Sequence, residues 1–198
     1  MTAKELKDNS LFIRNLDPDI ILFQEIFEPR KKQLEQGLID YKTFHEFYAD
    51  DMICLIYCKK STKVDEIVYH RFKNSYMQRG FCAISVDNIW YLTTHLESLD
   101  TEQYEKIRGT QLVEIWDFLK DKNFVLGMDS NIKGDITRTD DVEDVWQQEA
   151  KPTWFAKRFF GNDMEARYDR IFIRGQTVKF KHIIQNLFSD HDMLYVLT

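Results

Sequence analysis

Five strand exits along this 198-residue chain carry side chains able to do acid, base or metal chemistry: Glu25, His95, Asp129 with Asn131, Asp169, and Asp190 with His191. Each lies beside a short apolar run, the pattern of a buried strand that stops at a surface. Taken singly, such a residue is more often a solvated strand end or an Asx-turn than a ligand. Their recurrence points to one shared edge. Carboxylates gathered there suit a hard divalent cation, because their oxygens replace water around Mg2+, and imidazole titrates near neutrality and suits a general acid or base.

The elements that must position these groups follow from periodicity. Residues 1–16, with Leu11, Phe12, Ile13 and Leu16, predict a short amphipathic helix ending before Asp17-Pro18. Asp19-Ile20-Ile21-Leu22-Phe23-Gln24-Glu25 predicts a strand buried on both faces. A short charged helix is expected over 29–37, and strands over 39–47, 52–58 and 64–70, with turns at Asp50-Asp51 and Lys59-Lys60-Ser61. Asp87-Asn88 joins two apolar runs as a hairpin, both residue types tolerating positive φ. Over 100–120 the period becomes helical, with Asp100 and Gln103 as a capping box. Short strands are expected at 124–126, 171–173 and 194–197. Strands interspersed with helices, without repeat or linker, predict an α/β or α+β layered sandwich.

Composition excludes several classes. With 43% hydrophobic residues and 15 Phe, 9 Tyr and 4 Trp, the chain can close a real core, so global disorder is excluded. No apolar run approaches the roughly 20 residues that span a bilayer. A net charge of −6 gives no global positive field, so any nucleic-acid contact must be local. Cys54, Cys58 and Cys82 show neither a disulfide framework nor zinc-ligand spacing and are expected to be buried hydrophobes. No secretory signal is visible after Met1, so an intracellular protein is expected.

In order and rough spacing, five runs resemble the endonuclease/exonuclease/phosphatase superfamily: Ile21-Leu22-Phe23-Gln24-Glu25, Thr94-His95-Leu96-Glu97-Ser98, Gly127-Met128-Asp129-Ser130-Asn131, Tyr168-Asp169-Arg170-Ile171-Phe172 and Ser189-Asp190-His191. Further runs resemble its tyrosyl-DNA phosphodiesterase branch: Ser75-Tyr76-Met77-Gln78-Arg79-Gly80, Asp144-Val145-Trp146, Pro152-Thr153-Trp154 and Arg167-Tyr168-Asp169-Arg170, with Arg108 and Gln111 after the histidine motif. The resemblance covers residues 17–198. It implies a four-layer α/β sandwich of the DNase I type, 1–198 forming a single domain, and a monomer with no membrane association. The implied activity is hydrolysis of a 5′-phosphotyrosyl bond at a nucleic-acid end, with Mg2+ or Mn2+ as cofactor.

By that resemblance Glu25 is a metal ligand and Asp190 lies near the metal. Asp129 orients or deprotonates the attacking water, and Asn131 holds that water or a phosphate oxygen. His191 stabilises the charge developing on phosphorus, with Asp169 fixing its ring, while His95 and Ser98 line the phosphate site. Arg79, Lys133 and Trp154 are expected to touch the nucleic-acid strand. Other phosphoesters of the superfamily, or a weakly active binding module, stay open as alternatives. One departure stands out. Relatives open with a strand carrying a Thr-x-Asn-like motif, whereas here only a helix fits before Asp17, and Asn15 sits too close to Glu25 to take that role. A missing first strand would leave a vacancy in a sheet, whose unpaired backbone groups need another partner.

Overall fold

From residue 80 onward the sequence alternates by twos, and that alternation sorts the protein into layers. The computed structural model describes residues 3–47, 52–149, 151–157, 163–185 and 189–198, so the Asp50-Asp51 turn lies outside the described residues. Six strands form the central sheet: β4 (Glu66–Arg71), β5 (Gly80–Val86), β6 (Ile89–His95), β7 (Asn123–Asp129), β8 (Glu143–Asp144) and β11 (Asp169–Arg174), in the order β4-β5-β6-β7-β11-β8. Phe81, Ala83, Trp90, Leu92, Phe124, Leu126, Met128 and Phe172 fill one face, against Ile115 and Leu119 of helix α3 (Glu102–Leu119). Cys82, Ile84, Tyr91, Val125, Ile171 and Ile173 point the other way. Burying each large apolar side chain contributes about 1.5–3 kcal/mol, enough to fix which face is which.

That second face is covered by two smaller sheets. One is β1-β3-β2, from β1 (Ile20–Phe27), β2 (Tyr41–Phe47) and β3 (Met52–Lys59); the other pairs β12 (Phe180–Ile184) with β13 (Met193–Leu197). Tyr91 of β6 packs into both interfaces. Helices α1 (Ala3–Leu16) and α2 (Glu28–Gly37) then cover the outside of the three-stranded sheet, with Ile13, Leu34 and Leu38 packed on Tyr41, Ile53, Leu55 and Tyr57. Helix, sheet, sheets, helices: the architecture is the four-layer α/β sandwich expected. A short ribbon of β9 (Trp154–Phe155) and β10 (Glu165–Ala166) lies outside these sheets. No helix among the described residues is long and apolar enough to cross a membrane.

Local chemistry sets the connections. Asp87 and Asn88 take φ of 49° and 63°, the left-handed pair that closes the β5–β6 hairpin. All ladder pairs in the central sheet are antiparallel except β6 with β7, which run parallel because α3 carries the chain back across the sheet. Cys54, Cys58 and Cys82 are buried free thiols.

Four expectations need correction. β1 is half-buried rather than buried on both faces, because it forms an edge of its sheet. In α1, Ile13 is buried but Leu11 and Phe12 are exposed. The capping box at α3 does not form: Thr101 is the N-cap, Asp100 pairs with Lys133 and Gln103 donates to the Tyr76 hydroxyl, so long-range partners take both side chains. Asp169 opens β11 instead of closing a strand, and it reaches the common edge because β11 runs antiparallel to β7.

Candidate active site

Register brings three of the residues into a single row. In the parallel β6–β7 ladder His95 stands opposite Asp129, and in the antiparallel β7–β11 ladder Asp169 stands opposite the same Asp129. All three share the face that carries Val125 and Ile171, so they project between the two sheet layers at one end of the sandwich. Their side chains are 1%, 6% and 13% exposed.

Glu25 reaches this row from the opposing sheet through a β-bulge. The β1–β3 register shifts between Phe23 and Ile26, and Glu25 itself takes a φ of 55°, a left-handed conformation costly for a residue with a Cβ. Its carboxylate is thereby set 3.5 Å from His95 Nδ1. Two hydrogen bonds between the layers hold the bulge: Gln24 Nε2 donates to Thr93 Oγ1 (2.8 Å) and Thr93 Oγ1 donates to the Phe23 carbonyl (3.2 Å). Gly127 makes the close approach possible, since a Cβ there would lie 2.8 Å from Leu22 Cδ1.

His191 is delivered by a loop tied to β9. It forms an isolated bridge with Trp154, while Asp192 N–H donates to the Thr153 carbonyl (2.7 Å) and Phe155 N–H to the Asp190 carbonyl (2.9 Å). Its ring then spans the row, Nδ1 at 2.9 Å from Asp169 Oδ2 and Nε2 at 3.8 Å from Asp129 Oδ2. Asp190 accepts from the Trp154 indole N–H (2.8 Å), and Trp154 packs against Tyr168 with ring centroids 5.3 Å apart.

Asn131, Ser98 and Arg79 join the same network, and Lys133 does not. Asn131, at φ 50°, anchors its backbone N–H on Asp129 Oδ1 (3.0 Å); its amide lies 2.8 Å from His95 Nε2 and 3.4 Å from Ser98 Oγ. Arg79, expected to touch the nucleic-acid strand or its phosphate, is 3% exposed, its guanidinium 2.5 Å from His95 Nδ1 and 3.3 Å from Ser98 Oγ. Lys133 is exposed and paired with Asp100 at the rim.

Electrostatics divide the two histidines. Burial disfavours the His191 imidazolium, but the charge and hydrogen bond of Asp169, with Asp129 and Asp190, outweigh it and raise the pKa to about 10. His95 moves the other way: burial, then the positive Arg79 and His191, hold it well below its ordinary value, so it is neutral. Burial pushes Asp129 up from the usual carboxylate range, His191 opposes, and Asp169 and Glu25 push it further. Asp129, Asp169 and His191 offer ligand atoms within 4.8 Å of one another, a candidate metal centre among the described residues. The carboxylate oxygens of this cluster suit a hard divalent cation.

Superposition on solved structures gives the fold its relatives. D. rerio TDP2 (tyrosyl-DNA phosphodiesterase 2) complexed with a single-strand DNA product matches with a TM-score of 0.85 at 22% identity, over 98% of this chain and 91% of that one. The fold is that of the endonuclease/exonuclease/phosphatase proteins. One of that description from Bacteroides vulgatus gives a TM-score of 0.76 at 16% identity, over 97% and 88% of the two chains. A Bacteroides thetaiotaomicron mannosyl-6-phosphatase gives 0.71 at 13%, over 98% and 91%. No family model matches the sequence, and no curated protein is significantly similar to it.

Within this endonuclease/exonuclease/phosphatase fold, several supporting residues have roles that the sequence motifs did not assign. Gln24 and Thr93 are ordinary polar residues whose meeting depends on two sheets packing face to face. Thr153 presents Oγ1 to the Asp169 N–H (3.0 Å) and its carbonyl to the His191 loop. Asp144 is buried between Arg167 and Arg170, and Arg170 Nη2 donates to the Ile132 (3.2 Å) and Gly134 (2.9 Å) carbonyls that follow Asn131. The alternation of β11, which puts Arg170 on the core face with Phe172, was the available signal.

Proposed function

We propose that this chain is a divalent-metal-dependent phosphodiesterase that hydrolyses 5′-phosphotyrosyl bonds at nucleic-acid ends, acting as a single-domain monomer. The observation that carries this reading is the meeting of the His191 imidazolium with the carboxylates of Asp129 and Asp169 at one edge of the sheet. A phosphodiester is anionic and repels hydroxide, so its hydrolysis needs positive charge on the phosphoryl oxygens and a water held in line. The donor set fits Mg2+ or Mn2+: Asp129, Asp169 and Glu25 bring three carboxylates of hard oxygens together, and the Asp129 carboxyl is pushed up by burial and further by the other two. Glu25 would hold the cation, with Asp190 beside it, and the bound metal would neutralise a non-bridging phosphate oxygen.

The chain's own residues do the rest. Asp129 orients or deprotonates the attacking water, Asn131 holds it or a phosphate oxygen, and the His191 imidazolium faces the charge that develops on phosphorus. His95 and Ser98 line the phosphate. A tyrosyl leaving group departs as a phenolate of pKa about 10, which needs little help from a strong general acid. Trp154, braced by Asp190 and Tyr168, supplies a stacking surface for a single-stranded end, with Lys133 at the rim. The DNA product held by the D. rerio protein of the same fold supports that choice of ligand.

Incubation with Mg2+ and a 5′-phosphotyrosyl oligonucleotide is expected to release tyrosine, and Glu25→Gln or His191→Ala to slow release by about 10²–10³-fold. Release by the native protein no faster than by those variants overturns the proposal. A phosphomonoesterase acting on small sugar phosphates is the second reading. The net charge of −6, poor for attracting a polyanion, favours it, and parallel assays on inositol and sugar phosphates decide.

A further inference from the structure

Glu97 is wholly buried, yet the chemistry above makes no use of it. Its carboxylate accepts from Ser75 Oγ (2.7 Å), Met77 N–H (2.7 Å) and Gln111 Nε2 (3.1 Å). Its backbone N–H donates to Gln111 Oε1 (3.0 Å), and its carbonyl accepts from Arg108 Nη1 (3.0 Å). A buried carboxylate with this many donors clamps the Ser75–Arg79 turn against α3. Ser75 Oγ in turn accepts the Arg79 backbone N–H at 2.7 Å, so the clamp fixes the root of the Arg79 side chain.

Two groups then compete for one ring. Arg79 Nη1 lies 2.5 Å from His95 Nδ1, and the Asn131 amide nitrogen lies 2.8 Å from His95 Nε2. A neutral imidazole has a single acceptor nitrogen, so both cannot donate to it. A guanidinium has no acceptor to offer in exchange, whereas a carboxamide can turn its oxygen inward by a half-rotation. Asn131 is thus the group able to yield: a half-rotation would turn its Oδ1 to His95 Nε2–H and to the Ser98 hydroxyl, at the cost of the Nδ2 contact with the Leu96 carbonyl (3.2 Å).

We propose that Arg79, held by Glu97, is a positioning residue that locks His95 as the Nε2–H tautomer. The lock has two consequences. The ring proton is given to the Asn131 carboxamide, 2.8 Å from Nε2, with Asp129 Oδ2 3.4 Å away on the same side of the ring. On the other side Nδ1 has no proton to give Glu25 Oε1 at 3.5 Å, so that carboxylate stays available for a cation. The significance of a free Glu25 rests on the phosphodiesterase reading; the tautomer itself does not.

The test is long-range ¹H–¹⁵N correlation spectroscopy of histidine side chains in the metal-free, substrate-free protein. Native His95 is expected to show a bare Nδ1 and a protonated Nε2. Arg79→Met should move population to Nδ1–H, Glu97→Gln should do so in part, and Arg79→Lys, still a donor without an acceptor, should restore the native pattern. Unshifted His191 and His70 resonances certify that each variant is folded. A native His95 protonated on Nδ1, or on both nitrogens, overturns the inference without any variant, and so does an Arg79→Met spectrum identical to the native one. A locked tautomer with no tyrosine release defeats the function alone; release with an unlocked ring defeats this inference alone.

Discussion

Replacing Asp169 with Asn removes the charge that does most to keep His191 protonated. In the native protein His191 is held at about 10 against an ordinary 6.5, by Asp169, Asp129 and Asp190 acting over an opposing burial penalty. Each pH unit of such a rise is worth about 1.4 kcal/mol, so the imidazolium is favoured by on the order of several kcal/mol. The Nδ1 contact of 2.9 Å to Asp169 is the shortest of the ring's carboxylate contacts, whereas Asp129 stands off at 3.8 Å. In Asp169→Asn the burial penalty persists with its chief compensation gone, and the His191 value should fall toward neutrality. A raised value stabilises the folded state fully below the unfolded pKa of about 6.5, and that contribution is lost as pH climbs toward about 10. Two measurements check this. In ¹H NMR of the metal-free protein, His191 should titrate far above the ordinary 6.5 in the native chain and near neutrality in the variant. In the tyrosine-release assay, the alkaline limb of the rate profile should move down in pH, with a loss of about 10²–10³-fold above neutrality. A native His191 that titrates near 6.5, or an alkaline limb unmoved by the substitution, refutes the reasoning.

Three further outcomes are expected. Asp129→Asn should stabilise the metal-free protein, since it removes a buried carboxyl held above its ordinary range; a gain of about 1 kcal/mol would appear as a melting temperature about 2–4 °C higher, while the rise that Mg2+ gives the native protein should disappear. Asp144→Asn leaves Arg167 and Arg170 buried without their counter-charge and should cost about 3–5 kcal/mol in urea unfolding. Trp154→Ala should weaken single-stranded oligonucleotide binding by about 1–3 kcal/mol in a fluorescence titration and leave the Mg2+-induced rise in melting temperature intact.

What could be read from sequence was what local chemistry decides. Asp87-Asn88 announces its turn because both residues accept the φ the hairpin requires, and the alternation through β5, β6 and β7 announces faces because one side of each strand must be buried. Facts that depend on two segments meeting stayed hidden. Glu25 was visible as a polar residue closing an apolar run, but its aim at His95 comes from a bulge that no glycine marks. Arg79 was visible as a cation of a motif run, but its contact with His95 depends on the turn that Ser75 and Glu97 hold. Asp100 and Gln103 had the spacing of a cap and lost it to Lys133 and Tyr76, partners 33 and 27 residues away.

The parallel β6–β7 pairing explains why one helix bears on both halves of the site. Had these strands met as a hairpin, His95 at the end of β6 would face the start of β7, and Asp129 would lie at the opposite end of the sheet. The return through α3 sets the ends of both strands side by side, so His95 and Asp129 become register partners. The same helix presents Arg108 and Gln111 to Glu97, whose carboxylate fixes the turn that carries Arg79 back onto His95. A change that slides α3 along the sheet should therefore disturb the His95 tautomer and the His95–Asp129 spacing together. A change confined to the His191 loop should leave both intact.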